Sequence, residues 1–222
     1  PGARDRALRT WPARQVVSHT SSTMSDLDAH LALTSTGPAS FRAEVPDGWQ
    51  QGRGAFGGLV IALLVRAAEA AAGGPDRPLR SLTAELCGPT QPGPADLLVE
   101  PLRVGSGVTT VAARLVQGGE VQAHAVAVLA RERDPQVAWS ELVAPPMPPW
   151  QDVSDRMPEG GPVFARHIEF RPVRAPMFAG EAASAAEGWV RLRRPPSVRD
   201  AAYLALLCDI WWPAAFARMT AP

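Results

Sequence analysis

The stretch AFGGLVIALLVRAAEAAAGGP, residues 55–75, limits what this chain can fold into more than any other. From Ala55 to Ala72 the only charges are Arg66 and Glu69, three apart and therefore on one helical face. A helix that is apolar nearly all round is stable only when buried. Gly73, Gly74 and Pro75 stop it. The uninterrupted apolar run, Ala55 to Val65, falls well short of the roughly 20 residues that cross a bilayer. So the segment predicts the buried centre of a globular domain.

What surrounds it is strand-like. Ala39 to Val45 (ASFRAEV) alternates and predicts a first strand, followed by PDGWQQGRG as a loop. Four further runs follow the helix: Leu79–Cys87, Ala95–Val104, Val108–Gln117 and Val121–Arg131. The turn signals GPTQPGP, GSG and GG separate them. Gly118-Gly119 joins the last two as a hairpin, and loops this short imply antiparallel pairing. One antiparallel sheet can enclose such a helix only by curling round it, with a second layer over the remainder. The fold class expected is α+β.

Asp134 to Gly161 is proline-rich (APPMPPW, PEGGP) and reads as a linker or surface strap, docked through Met147 and Trp150. A second pattern then begins. Phe164–Val173 and Ala185–Arg194 read as strands, and SVRDAAYLALLCDIWWPAAF reads as mostly apolar helix. Strand, connection, buried helix repeats the opening of the first half, which implies internal duplication. The expected organisation is a first repeat over 24–133, a linker over 134–161 and a partial second repeat over 162–222. Residues 1–23 carry four arginines without an apolar core, so they are expected to be a disordered or non-native extension preceding Met24 and an amphipathic SDLDAHLAL.

Composition excludes several functions. The 22 basic and 22 acidic residues cancel, which removes the electrostatic case for nucleic acid or a membrane surface. All the basic residues are arginine, so a P-loop lysine, a Schiff-base lysine and a Ser–Lys dyad are ruled out. Cys87 and Cys208 sit in apolar sequence and are expected to be buried, reduced thiols of a cytoplasmic protein. Four scattered histidines give no metal spacing, and neither a metal nor a cofactor is expected.

The chain resembles a known family at several ordered motifs. These are GRGAFGGLVIALLVRA (Gly52–Ala67), RSLTAELCGPTQPG (Arg80–Gly93), LRVGSGVTTVAARLVQGGEVQAHAVAVLA (Leu102–Ala130) and GWVRLRRPPSVRDAAYLALLCD (Gly188–Asp209). They are similar to the TesB-like (type II) acyl-CoA thioesterases, which are tandem double hotdogs. The hotdog fold is a curled antiparallel sheet wrapped round a long helix. The resemblance implies an acyl-CoA substrate, hydrolysed to free acid and CoA, and a homo-oligomer. It also implies a catalytic Asp, Thr or Ser, and Gln that hold the attacking water. Asp209 falls where that Asp would be. The other two belong to strands later in the second repeat, and Thr220 comes too early to be one of them. The chain is therefore expected to be a shortened copy, and activity belongs to the full-length form. The alternative is a non-catalytic acyl-binding or dimerisation module. A hotdog lyase ranks lower because the Asp–Asn-Pro–His signature is absent.

Each candidate residue carries a structural reading beside the functional one. Asp209 is either the N-cap of a helix starting at Ile210, or the carboxylate that holds water, or both. Gly57 and Gly58 either allow close packing of strand on helix or expose backbone N–H groups to a substrate carbonyl. His124 and His167 read as core or edge histidines, and Ser106 in VGSGV as a turn serine. Arg191 and Arg193–Arg194 either line a solvated strand edge or meet CoA phosphates. Without further strands over the second helix, Trp211, Trp212 and Phe216 would cover the first repeat or form a sticky patch that drives association.

Overall fold

The computed structural model describes residues 26–74, 76–134, 136–137, 139–156, 160–174 and 177–221. The proposed extension over 1–23 and Met24 lie outside these. A one-turn helix α1 (Asp26–His30) leads into strands β1 (Thr34–Gly37) and β2 (Ser40–Val45). The loop that follows contains a minimal hairpin, β3 (Gln50–Gln51) with β4 (Gly54–Ala55), where the sequence predicted no regular structure. Then come the long helix α2 (Gly57–Ala72) and strands β5 (Leu79–Leu86), β6 (Gly93–Val104), β7 (Val108–Gln117) and β8 (Glu120–Ala130).

Six strands form one antiparallel sheet in the order β1-β2-β6-β7-β8-β5. Strand β5 does not pair with its neighbour in sequence, β6; it closes the far edge against β8. The β7–β8 turn is the two-residue loop expected, with φ of +61° at Gly118 and +84° at Gly119. A type I′ turn needs both central residues in that left-handed region, which is why two glycines stand there.

Helix α2 lies against the concave face of this sheet, and twelve of its sixteen residues are buried. The strands meet it with alternate residues: Ala95, Leu97 and Val99; Val111, Ala113 and Leu115; Ala123, Ala125, Ala127 and Leu129. The alanines keep the sheet face shallow, so Leu59, Leu63 and Leu64 of the helix can sink into it. Each such leucine buried contributes about 1.5–3 kcal/mol. Truncating Leu63 to Ala would cost about 2–5 kcal/mol, since a close-packed core refills only part of the gap.

The second half is smaller. The segment read as a strand from Phe164 begins as a 3-10 turn (Val163–His167), and only then becomes strand β9 (Ile168–Arg174), paired antiparallel with β10 (Glu187–Leu192). Phe164 turns inward to stack on Phe56, ring centroids 4.0 Å apart, which keeps this stretch out of the strand. Helix α3 (Ala201–Cys208) is shorter than the apolar run predicted, and a 3-10 turn (Ala214–Ala217) follows it. Pro213, which lacks an N–H, separates the two. The linker is exposed along most of its length, yet Trp150 docks as expected. Its ring lies beneath the guanidiniums of Arg171 and Arg191, 4.9 and 4.5 Å from the centroid.

Both cysteines are exposed, contrary to the sequence reading. Apolar neighbours in sequence do not imply burial at these places. Cys87 follows the edge strand β5, and Cys208 ends α3 on its outward side. No helix among the described residues is long and apolar enough to cross a membrane.

Candidate active site

The helices α2 and α3 run antiparallel, tied at both ends. At one end Arg66 of α2 pairs with Asp200 at 2.6 Å. Asp200 is also the N-cap of α3, accepting the Tyr203 N–H at 3.1 Å. This explains the charge on an otherwise apolar helix: Arg66 and Glu69 face the seam between repeats. Burial, and then the neighbouring Asp200, push Glu69 above the ordinary carboxylate range.

At the other end the three candidate residues converge. Asp209 is not the N-cap of a helix beginning at Ile210; it is the C-cap of α3. The apolar run is broken there because α3 starts earlier, at the Asp200 cap. From this position the Asp209 carboxylate lies against the first turn of α2, near enough for the Gly58 N–H to draw on its charge. Residue Phe56, at the N-cap of α2, has no side-chain oxygen to satisfy that turn. The second repeat therefore places a carboxylate at the start of the first repeat's central helix.

Glycine is required for the contact. A Cβ on Gly57 would stand 2.7 Å from Asp209 Oδ2 and 2.6 Å from Leu86 Cδ1. A Cβ on Gly58 would stand 2.6 Å from both the Leu206 carbonyl oxygen and the Phe56 ring. Of the two readings posed for these glycines, close packing is what the structure displays: both are buried, and the packing brings the carboxylate to the helix terminus.

Asp209 is open to solvent on one side. Packing on the other side desolvates it and raises its pKa above the ordinary range, an effect that exceeds the opposing pull of the Gly58 N–H. Below it, Trp211 and Trp212 stack at 4.4 Å and pack near Phe170. Both indole N–H groups are buried without a hydrogen-bond partner among the described residues. Phe216 stacks on Phe178 at 5.4 Å, so the aromatic segment is folded against its own repeat.

The remaining candidates lie elsewhere. His124 pairs with Glu85 across β8 and β5, 3.0 Å apart. Ser106 lies in the bend between β6 and β7. Arg191 pairs with the buried Glu169, Arg193 with Asp155 and Arg194 with Asp26. Thr220 is exposed beside Gly180. No cluster of His, Cys, Asp and Glu among the described residues could hold a metal.

One cluster was missed from sequence. Trp49 is 2% exposed and donates its Nε1–H to His30 Nδ1 at 3.2 Å. His167 lies flat on Trp49, centroids 4.2 Å apart, with Nε2 placed 2.9 Å from the Gly48 carbonyl. Burial lowers the pKa of both histidines. A tryptophan stranded among turn residues, PDGWQQG, was the available signal: such a ring needs another element to cover it.

Known proteins share this architecture. A conserved hotdog-fold protein of unknown function from Alicyclobacillus acidocaldarius is 26% identical, with a TM-score of 0.79 over 88% of this chain and 73% of that one. An acyl-CoA thioesterase II from Mycobacterium marinum (22% identity, TM-score 0.64, 83% and 68% covered) has the same fold. So does a tesB protein of Mycobacterium avium subspecies paratuberculosis (20% identity, TM-score 0.66, 87% and 72% covered). Among curated proteins no sequence matches significantly. Residues 45–130 match the model of the acyl-CoA thioesterase N-terminal domain, and residues 140–222 match that of its C-terminal domain. With both domains present in order, on a hotdog sheet wrapped round its helix, the chain belongs to the acyl-CoA thioesterase family.

Proposed function

We propose that this protein hydrolyses the thioester of an acyl-CoA, with Asp209 as the group that holds and activates water. The observation that carries this reading is the meeting of a partly desolvated, solvent-facing carboxylate with the amino end of α2. Water adds to the thioester carbonyl while Asp209 takes its proton. The positive end of the α2 dipole favours the negative charge that develops on oxygen. Collapse of the tetrahedral intermediate breaks the C–S bond and expels CoA thiolate, a good leaving group that needs no strong acid. The products are the free acid and CoA. A desolvated carboxylate is a better base than an exposed one, since its raised pKa lies nearer the working pH.

Gly57 and Gly58 serve in this reading as the close-approach point for the thioester. Exposed Leu86, beside Gly57, offers an apolar wall for the acyl chain. Two exposed free thiols suit a reducing compartment such as the cytoplasm. The open edge of β5, together with exposed Leu102, Val104 and Val108, suits association with a second copy. The test is thiol release from acyl-CoAs of graded chain length. Release above the uncatalysed rate supports the reading. No release, with acyl-CoA still bound, favours a non-catalytic acyl-binding module.

A further inference from the structure

We propose that the cavity beside Trp49 is a phosphoanion site that holds the nucleotide end of the CoA substrate. This rests on the acyl-CoA reading and extends it to a second part of the molecule. The cavity has a volume of about 360 Å³ and lies on the seam between repeats. Asp26 of α1, Trp49, and Arg166 and His167 of the 3-10 turn line it, with Arg193 and Arg194 after β10.

Three arginines line one hollow in a chain whose net charge is zero. Each carries five N–H donors in a planar fork suited to phosphate. Arg193 and Arg194 meet their carboxylates, Asp155 and Asp26, through Nη1, at 2.7 and 2.9 Å. The rest of each fork is left for a ligand. Arg166 is seated on the backbone of Gly48: a Cβ there would fall 1.9 Å from its Nη2, and the φ of +87° also favours glycine. The floor is rigid, because Trp49 is held by the His30 bond and stacked under His167. Arg194 is balanced by Asp26 in the lining and Arg193 by Asp155 outside it, so the charge in excess is that of Arg166.

The cavity is also placed for this ligand. The Trp49 carbonyl accepts the Phe56 N–H at 2.7 Å, and the two rings lie 6.4 Å apart. Phe56 immediately precedes Gly57, where Asp209 sits. One short segment, 49–58, therefore separates the arginine cavity from the proposed hydrolytic site. CoA has that layout: anionic phosphates at one end, the thioester at the other, and a flexible arm between them.

The experiment is calorimetric titration with adenosine 3′,5′-bisphosphate, which has the 3′-phosphate and the first 5′-phosphate of CoA and no thioester. Inorganic pyrophosphate and adenosine are run in parallel. The wild-type protein is expected to bind the bisphosphate. Arg166→Glu should weaken binding at least tenfold, and Asp26→Asn should tighten it severalfold. Both variants should keep the wild-type far-UV spectrum. No binding by the wild type, or affinity indifferent to both substitutions, would overturn the site. Pyrophosphate binding as tightly as the bisphosphate would overturn its assignment to CoA. Failure here is separable from failure of the hydrolytic reading. Acyl-CoA hydrolysis with a KM unchanged in Arg166→Glu sinks the cavity alone. Arg166-dependent bisphosphate binding without hydrolysis sinks the hydrolase alone.

Discussion

Asp209, at the carboxyl end of α3, sets its carboxylate against the amino end of α2, beside the Gly57 and Gly58 backbone. One side chain thereby joins the two repeats and brings a partly desolvated carboxylate to the start of the central helix. Its structural and chemical duties pull in opposite directions, and this can be measured.

Replacing Asp209 by Asn keeps an oxygen for Gly58 and removes a charge that packing disfavours. A carboxyl with a raised pKa destabilises the fold at pH values above its unfolded pKa. The Asp209→Asn variant is therefore expected to unfold at an equal or higher urea midpoint at neutral pH. A clear fall in midpoint would show that the charge itself holds the seam.

The two glycines should separate packing from chemistry. In Gly58→Ala the new methyl meets a backbone carbonyl and a ring, neither of which can move freely. A loss of about 1–3 kcal/mol in urea unfolding is expected. In Gly57→Ala it meets the ends of two side chains, Asp209 and Leu86, that can swing away. That variant should lose little stability and much activity. Equal stability losses in both would contradict the geometry.

The central helix, the hairpin at Gly118-Gly119 and the alternating strands were legible in the sequence because each rests on a local rule: period, turn chemistry or side-chain size. The site was legible only in part. Asp209 and the glycines stood out as residue types, but their meeting depends on how α3 lies against α2, which no local pattern encodes. Asp200 was overlooked, although Asp before an apolar run is the ordinary N-cap signal. Recognising it would have placed Asp209 at the end of the helix. The cysteines were misjudged for the same reason: burial is decided by neighbours in space.

Acid should loosen the seam through His30 and His167. Burial holds both below the ordinary histidine value, so the unfolded chain binds protons first as pH falls. Their contribution is complete above the unfolded pKa of about 6.5 and is lost as pH falls through the lower folded values. Protonation also removes the Nδ1 acceptor from Trp49. His30→Gln restores an acceptor that does not titrate, so its urea midpoint should change less than that of the wild type between pH 7 and 5. Glu69 and Asp209 act in the opposite sense, which makes the difference between the two proteins the quantity to read. Parallel curves would refute this.

The buried Glu169 clamps β9 to β10 between Arg171 and Arg191. Hydrogen bonding from Arg191, chiefly, holds its pKa below the usual range. Its contribution should persist down to about pH 4 and disappear below that. Glu169→Gln is expected to cost about 1–3 kcal/mol. The Trp150 fluorescence should shift as the ring beneath the two guanidiniums loosens. An unchanged midpoint and spectrum would mean the clamp contributes nothing.

The most direct measurement is the pH dependence of kcat/KM for acyl-CoA hydrolysis, in the wild type and in Asp209→Asn. The wild type should lose activity on an acid limb lying above the ordinary carboxylate range, as packing around Asp209 dictates. The variant should be slower by about 10²–10⁴-fold, without that limb, while still binding acyl-CoA. Hydrolysis at wild-type rate by Asp209→Asn, or a variant that keeps the same acid limb, would contradict the assignment of the water-activating role to Asp209.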